Sequence, residues 1–396
     1  MTNCLPTDLM FEQPNGWLRA SLPKIEAASR SVLTMARDSR SMIEARAEYH
    51  DQRWRELTGV APSDTRFSIS FPVHNEERSL PSVLGAFFAS ELPSAAEIQV
   101  IFLVNASSDN SAALIKKRLA HIGPPTETSL SRPFIDSKRL DAVHQVSCGK
   151  MKFIVAETSV PGKANALNIC NEIAREQGHE IAINIDANNW VEPDSIGLMY
   201  RQARRTIIDA PSFNAALINA CEYCPTRNEQ AQVSVKTKTQ RAEVSGCMFA
   251  WSTQWIHENN GFPQYAIEDY GSGLLAISQG KKIVESDAKI WVFSPSNPSD
   301  EERQMIRFIY GAMQLAENFH DHPVAKEILR EDFPQLLPWS GRLEYYIKRI
   351  RNRSTLLKII KCLMRCLMDE RLIFHAQREL RRNPRGQTWK PIRSTK

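Results

Sequence analysis

From residue 67 onward, short apolar runs alternate with stretches whose apolar residues recur at helical spacing. Phe67-Ser68-Ile69-Ser70-Phe71-Pro72 alternates apolar and polar side chains and predicts a first strand. The turn Val73-His74-Asn75-Glu76-Glu77-Arg78 and an amphipathic helix over 80–88 follow it. Residues 98–104 are nearly all apolar, as a central parallel strand requires, and run into the polar turn Asn105-Ala106-Ser107-Ser108-Asp109-Asn110-Ser111 and a helix over 112–119. A third strand is expected over 151–156, with Pro161-Gly162-Lys163 opening a helix over 164–175. The fourth is Ile181-Ala182-Ile183-Asn184-Ile185, apolar but for Asn184; beyond it Glu192-Pro193-Asp194 starts a helix with Pro as opener. Four strand–helix alternations predict an α/β fold, a mostly parallel Rossmann-like sheet with helices on both faces.

Further strands are expected over 215–220, over Val244-Ser245-Gly246-Cys247-Met248-Phe249-Ala250, and as two short pieces over 282–285 and 289–293. Gly246 inside its strand marks a place where a ligand approaches the backbone. Ala266-Ile267-Glu268-Asp269-Tyr270 leads into a helix over 271–278. Residues 121–150 lose all periodicity and read as an insertion or mobile loop, and 225–241 have the composition of a flexible loop. No strand-like run occurs in 1–64, where 29–37 and 42–57 read as helices. The expected organisation is an N-terminal helical extension (1–64), a catalytic α/β domain (65–310) and a basic C-terminal helical region (311–396).

Composition changes this picture little. The 396 residues, 42% hydrophobic and 24% charged, describe an ordinary soluble globular protein. No run is long and apolar enough to span a membrane, no secretory signal is visible, and eight cysteines in so long a chain fit a reducing cytoplasm. Cys221-x-x-Cys224 lacks a second pair at zinc-site spacing. Charge is informative. From residue 342 to the end, sixteen Lys/Arg face four Asp/Glu, a local balance of +12 within a whole-chain charge of +5, so the preceding residues carry −7. The basic character belongs to the tail.

The candidate chemistry lies where strands end. In an open α/β sheet, ligands gather at the carboxyl ends of the strands. Asp186 and Asn188 stand two apart in such a turn, and oxygens at that spacing suit a hard divalent ion, Mg²⁺ or Mn²⁺, that also holds phosphate; a capping role for Asp186 is the plain alternative. Lys163, opening a helix, either meets phosphate or is a solvated surface lysine. Glu268 and Asp269 are, at their simplest, favourable charges at a helix N-terminus.

Taken together the clusters resemble family-2 glycosyltransferases of the GT-A fold, over about residues 66–310. Pro72-Val73-His74-Asn75-Glu76 resembles the family's Pro-x-x-Asn-Glu, and Val104-Asn105-Ala106-Ser107-Ser108-Asp109 its Asp-Asp-Gly-Ser-x-Asp turn. Asp186-Ala187-Asn188 resembles its Asp-x-Asp, and Glu268-Asp269 its Glu-Asp pair; Gly162-Lys163-Ala164-Asn165-Ala166-Leu167-Asn168 falls in register with them. The resemblance implies an inverting transferase using a nucleotide sugar. Pro72, Val73, His74, Glu76, Asn105, Lys163, Asp186 and Ala187 would face the donor, and Asp186 and Asn188 the metal. Asp269 would be the general base, with Glu268 orienting it or touching acceptor. Asn105 stands where an acid is expected; its amide oxygen still accepts a hydrogen bond, so uracil, and hence a UDP-sugar, is favoured. Asn188 likewise replaces a carboxylate, which should weaken metal binding. Gln304-x-x-Arg307-Phe308 resembles the Gln-x-x-Arg-Trp element that binds diphosphate and acceptor in processive members, so Gly246, Gln304 and Arg307 join the candidates.

Two other readings compete. A sugar-phosphate nucleotidyltransferase would want a Gly-rich basic loop after the first strand, and 71–78 contain no Gly. A catalytically impaired nucleotide-sugar-binding protein is motivated by Asn at 105 and 188 and opposed by Asp186, Glu268 and Asp269. The acceptor stays open between a lipid-linked saccharide, a peptide and a small metabolite. In the tail, Lys358, Lys361 and Arg365 form one stripe of a largely apolar helix. Such a helix either packs on the catalytic domain or, with its flanking basic clusters in 343–385, lies on the inner face of an anionic membrane. No aromatic stacking platform accompanies the charge, so nucleic acid is not expected. His320-Asp321-His322 reads as a helix-end cluster.

Overall fold

The computed structural model describes residues 40–123, 126–127, 140–223, 232–233, 244, 246–292, 298–351 and 356–384. The helix expected over 29–37, most of the two loops and the end of the basic tail lie outside them. In chain order come α1 (Arg40–Thr58), β1 (Arg66–Val73), α2 (Leu80–Phe88), β2 (Glu97–Asn105), α3 (Ser111–Leu119), β3 (Thr126–Glu127), β4 (Ala142–Cys148), β5 (Met151–Thr158) and α4 (Lys163–Glu176). Next are β6 (Ile181–Ile185), β7 (Trp190–Val191), α5 (Ser195–Ala203), β8 (Ala215–Tyr223), β9 (Gln232–Val233), β10 (Met248–Ser252), α6 (Thr253–Glu258), α7 (Glu268–Ser278) and β11 (Lys282–Trp291). The helices α8 (Pro298–Asn318), α9 (Pro323–Asp332), α10 (Trp339–Arg351) and α11 (Leu356–Arg382) follow.

One mixed sheet runs β3-β4-β5-β2-β1-β6-β10-β8-β11-β7, with β9 beside β8. Its centre, β5-β2-β1-β6, is parallel, so the ends of these four strands share one edge. The chain builds outward from β1 through β2 to β5, then returns to place β6 on the other side of β1. That reversal is where open α/β sheets bind ligands. The expected parallel sheet holds for this centre and for β8 with β11, whereas β4, β7, β9 and β10 pair antiparallel. Ser68 and Ser70 on β1 are as buried as the apolar residues between them, so polar alternation marks no wet face here.

Several boundaries differ from expectation, each for a tertiary reason. Residues 282–291 form one strand, with register shifts between Lys282 and Ile283 and between Glu285 and Lys289. Within the supposed loop, β4 folds back on β5 through a tight turn at Gly149 and buries Val143 and Val146. The helix expected to open at Pro193 opens at Ser195; the Pro193 carbonyl accepts a hydrogen bond from the Glu91 N–H. β10 begins at Met248, leaving Gly246 ahead of the strand. The boundary drawn after residue 310 falls inside α8. Finally, α1 belongs to the main core: Trp54 is fully buried, stacks on Phe67 at 5.9 Å between centroids and donates to the Thr65 hydroxyl. Truncating such an anchor to Ala costs about 3–5 kcal/mol.

Candidate active site

The site grows from the common edge of the parallel strands. β1 ends at Val73 level with Val104 of β2, and the carbonyl of Asn105 takes a hydrogen bond from His74 Nδ1 at 2.7 Å. A carbonyl can only accept, so the proton sits on Nδ1. The Asn105 amide N–H₂ donates to the Gly162 carbonyl at 2.8 Å, which fixes the amide's orientation. Its Oδ1 is then left buried with no hydrogen-bond partner among the described residues. Gly162 has φ +116°, a conformation that glycine alone adopts readily, and its backbone turns Lys163 into the site at the start of α4.

Lys163 is the hub. Its ammonium lies 2.8 Å from Asp186 Oδ1, donates to Asp186 Oδ2 at 2.9 Å and to the Gly246 carbonyl at 2.8 Å, and stands 3.3 Å from Glu268 Oε1. Burial alone would push the ammonium's pKa down; Asp186 foremost, then Glu268 and Asp269, outweigh it and hold the group above its ordinary value. Asp186 emerges from β6, and burial pushes its carboxyl up while Lys163 pulls it back. Gly246 comes alongside because β10 runs antiparallel to β6 and the Asp186 N–H donates to the Cys247 carbonyl.

Glu268 and Asp269 occupy the first turn of α7. The Glu268 side chain is buried between two cations, Lys163 and Arg307, whose guanidinium lies 3.8 Å from Oε2 and anchors itself on the Ala266 carbonyl. Asp269 is half-buried. Its Oδ1 accepts the Tyr270 N–H at 2.8 Å, and its Oδ2 lies so close to the Gly246 Cα that a Cβ there would be 2.0 Å away. What approaches the Gly246 backbone is therefore the Asp269 carboxylate. Burial, then repulsion from Glu268, pushes the Asp269 carboxyl up to about 7, against the pull of Lys163 and Arg307. A carboxyl poised there can exchange a proton near neutrality.

Of the residues expected from the sequence, His74, Asn105, Lys163, Asp186, Gly246, Glu268, Asp269 and Arg307 form one connected network, with half-buried Pro72 at the strand tip. Val73 and Ala187 turn their side chains into the core instead. Glu76 is buried, its carboxylate accepting the Ser79 hydroxyl at 2.6 Å. Gln304 is half-buried on α8 one turn before Arg307 and joins none of the network's described bonds. His322 caps α9 by accepting from the Ala325 N–H, a helix-end role. Two further residues, to which the sequence assigns no site role, tie the site's elements together. Asn184 donates to Asp186 and to the Gly246 carbonyl, and Asn168 accepts from the Phe262 N–H and donates to the Phe262 carbonyl, tying α4 to the loop that precedes α7. Only Asn184 carries a signal in the sequence, a polar amide inside an otherwise apolar strand.

The donor set does not fit a tight divalent site in this arrangement. Asp186 is a single carboxylate with both oxygens engaged by an ammonium, and half-buried Asn188 is neutral and bonded to neither group. Among the described residues no cluster of three His, Cys, Asp or Glu could hold an ion.

No family model and no curated protein matches the sequence. Solved structures do. The mannosyltransferase PcManGT from Pyrobaculum calidifontis, solved with GDP-Man and Mn²⁺, aligns over 90% of this chain and 98% of its own with TM-score 0.54 at 16% identity. S. aureus TarS residues 1–349 with UDP-GlcNAc aligns over 81% and 90% with TM-score 0.44 at 13% identity. The PcManGT likeness establishes the shared α/β fold.

Proposed function

We propose that the protein is an inverting glycosyltransferase that takes a sugar from a nucleotide-sugar donor, a UDP-sugar by preference. The observation that carries this reading is Asp269: a half-open carboxylate with its pKa pushed up to about 7, near the half-buried Lys163 ammonium, at the ligand-binding edge of the sheet. The fold shared with PcManGT, solved with a nucleotide sugar, supports it. Asp269 takes the proton of the acceptor O–H as that oxygen bonds to the anomeric carbon. The bond from that carbon to the diphosphate oxygen breaks, and the nucleoside diphosphate leaves with the electron pair. Lys163 supplies positive charge where the diphosphate develops negative charge, and Asp186, Glu268 and the Gly246 carbonyl hold it there. The Oδ1 of Asn105, unpartnered among the described residues, suits a base that presents a ring N–H, as uracil and guanine do and adenine and cytosine do not; leaving such a buried acceptor unmet costs about 1–3 kcal/mol. Glu268, enclosed by its two cations, positions Lys163 and Arg307 and does not meet the acceptor.

Incubation with a panel of nucleotide sugars tests the proposal. Release of a nucleoside diphosphate is expected, fastest with UDP-sugars. Exchange of pyrophosphate would replace this reading with nucleotidyl transfer, and saturable binding with no release under any acceptor would replace it with a binding protein.

A further inference from the structure

The two C-terminal helices pack on each other as an antiparallel pair. Arg342 on α10 binds Glu370 on α11 through two hydrogen bonds of 2.7 and 2.9 Å, and Tyr346 closes on Cys362 and Cys366. The second half of α11 packs on α8, burying Leu372, Ile373 and Ala376 against Ile309 and Tyr310. The first half does not follow this pattern. Ile360, Leu363, Met364, Leu367 and Met368 are 45–73% exposed, as is Phe374 further along. At 100° per residue, Ile360, Leu363, Met364, Leu367 and Phe374 fall on one outward face. That face continues as Arg371, Arg378, Arg381 and Arg382, all exposed. On α10, Trp339, Leu343 and Ile347 repeat the device at spacings of four, 40–58% exposed, with Lys348 and Arg351 at the end of the row.

We propose that this apolar and arginine face docks the protein on an anionic lipid surface. A soluble protein seldom leaves such a row of large apolar side chains in water. The charge beside it is predominantly positive and selects the occupant: from residue 342 onward the sequence carries sixteen bases against four acids, one of the four bound to Arg342, and of the exposed arginines Arg371 pairs with Glu302 on α8 at 2.8 Å. The same charge repels a second copy of this chain. An apolar band bordered by arginines and carrying an exposed Trp at one end matches the boundary between acyl chains and anionic headgroups, where each nearby cation adds about 1 kcal/mol. No helix among the described residues is long and apolar enough to cross a membrane, so α11 lies along the surface. This inference stands apart from the transfer reaction.

Co-sedimentation of the full chain with vesicles decides it. Binding is expected to phosphatidylcholine–phosphatidylglycerol vesicles, weakening as salt rises, and not to phosphatidylcholine alone. The double variant Leu363→Ser/Leu367→Ser, altered only at exposed positions, should bind at least tenfold more weakly with an unchanged melting curve; Arg378→Gln/Arg381→Gln/Arg382→Gln should lose the salt dependence. No binding to anionic vesicles at low salt overturns the proposal, as does equal binding by the double serine variant. Self-association that the double serine variant abolishes, without vesicle binding, would give the face to a second copy instead.

Discussion

Replacing Asp269 by Asn should disable the protein and stabilise it at neutral pH. The carboxyl rises from an ordinary 3.8 to about 7 on folding, so the folded chain keeps a proton that the unfolded chain releases between these values. The stability tied to that proton is fully present below about pH 4 and lost as pH rises through about 7. Roughly three units at 1.36 kcal/mol each set an upper bound of about 4 kcal/mol; because Asp269 is partly open to solvent, about 2 kcal/mol is the working figure. Asn carries no charge to lose, and its Oδ1 still accepts the Tyr270 N–H. Urea unfolding should therefore show Asp269→Asn more stable by about 2 kcal/mol near pH 8 and equal to wild type at about pH 3. Turnover of the variant should fall by about a hundredfold or more, the scale of a lost general base, while wild-type activity climbs to a plateau through about pH 7. A stability difference that is the same at both pH values would refute the assignment of a strained charge to Asp269, and wild-type turnover in the variant would move the base elsewhere.

Gly246→Ala forces a methyl group to within 2.0 Å of Asp269 Oδ2, so turnover should drop while calorimetry gives an unchanged affinity for UDP; full activity would show that the base tolerates displacement. Lys163→Met strips the buried carboxylates of their shared ammonium and should cost about 3–5 kcal/mol in stability, with UDP affinity falling further than a chelator lowers it in wild type. Asn188→Asp adds a second carboxylate beside Asp186, and UDP binding should then strengthen with Mn²⁺; if a chelator already abolishes wild-type binding, the ammonium is not the operative cation.

Sequence pattern captures what depends on near neighbours. The helix Leu80–Phe88 and the strand Ile181–Ile185 lie where periodicity puts them, with Asp186 directly after that strand and Asp269 in the first turn of α7. Long-range contact decides the rest. Lys163 was ambiguous between a phosphate contact and a surface residue because its three acidic neighbours come from 23 and more residues downstream. Val73 lies within a motif yet points inward, because successive side chains on an extended chain face opposite ways, and Ala187 is turned into the core by the tight turn that the Asn189 N–H closes on the Asp186 carbonyl. β4 reads as loop because its inward residues become apolar partners only once β5 lies beside it.

The turns after β1 and β2 are laced to each other. The Asn75 N–H donates to the Ser107 hydroxyl and Ser108 N–H to the Asn75 amide oxygen, while Glu77 N–H donates to Asp109 and Asn110 N–H to Glu77. Most polar groups at this end are thus spent on mutual immobilisation before any ligand arrives. Ordering a free side chain on association costs about 0.5–1.5 kcal/mol, and here folding has met that entropy in advance. A nucleoside binding beside Asn105 would meet turns already tied to each other, with the Asn105 Oδ1 still open among the described residues.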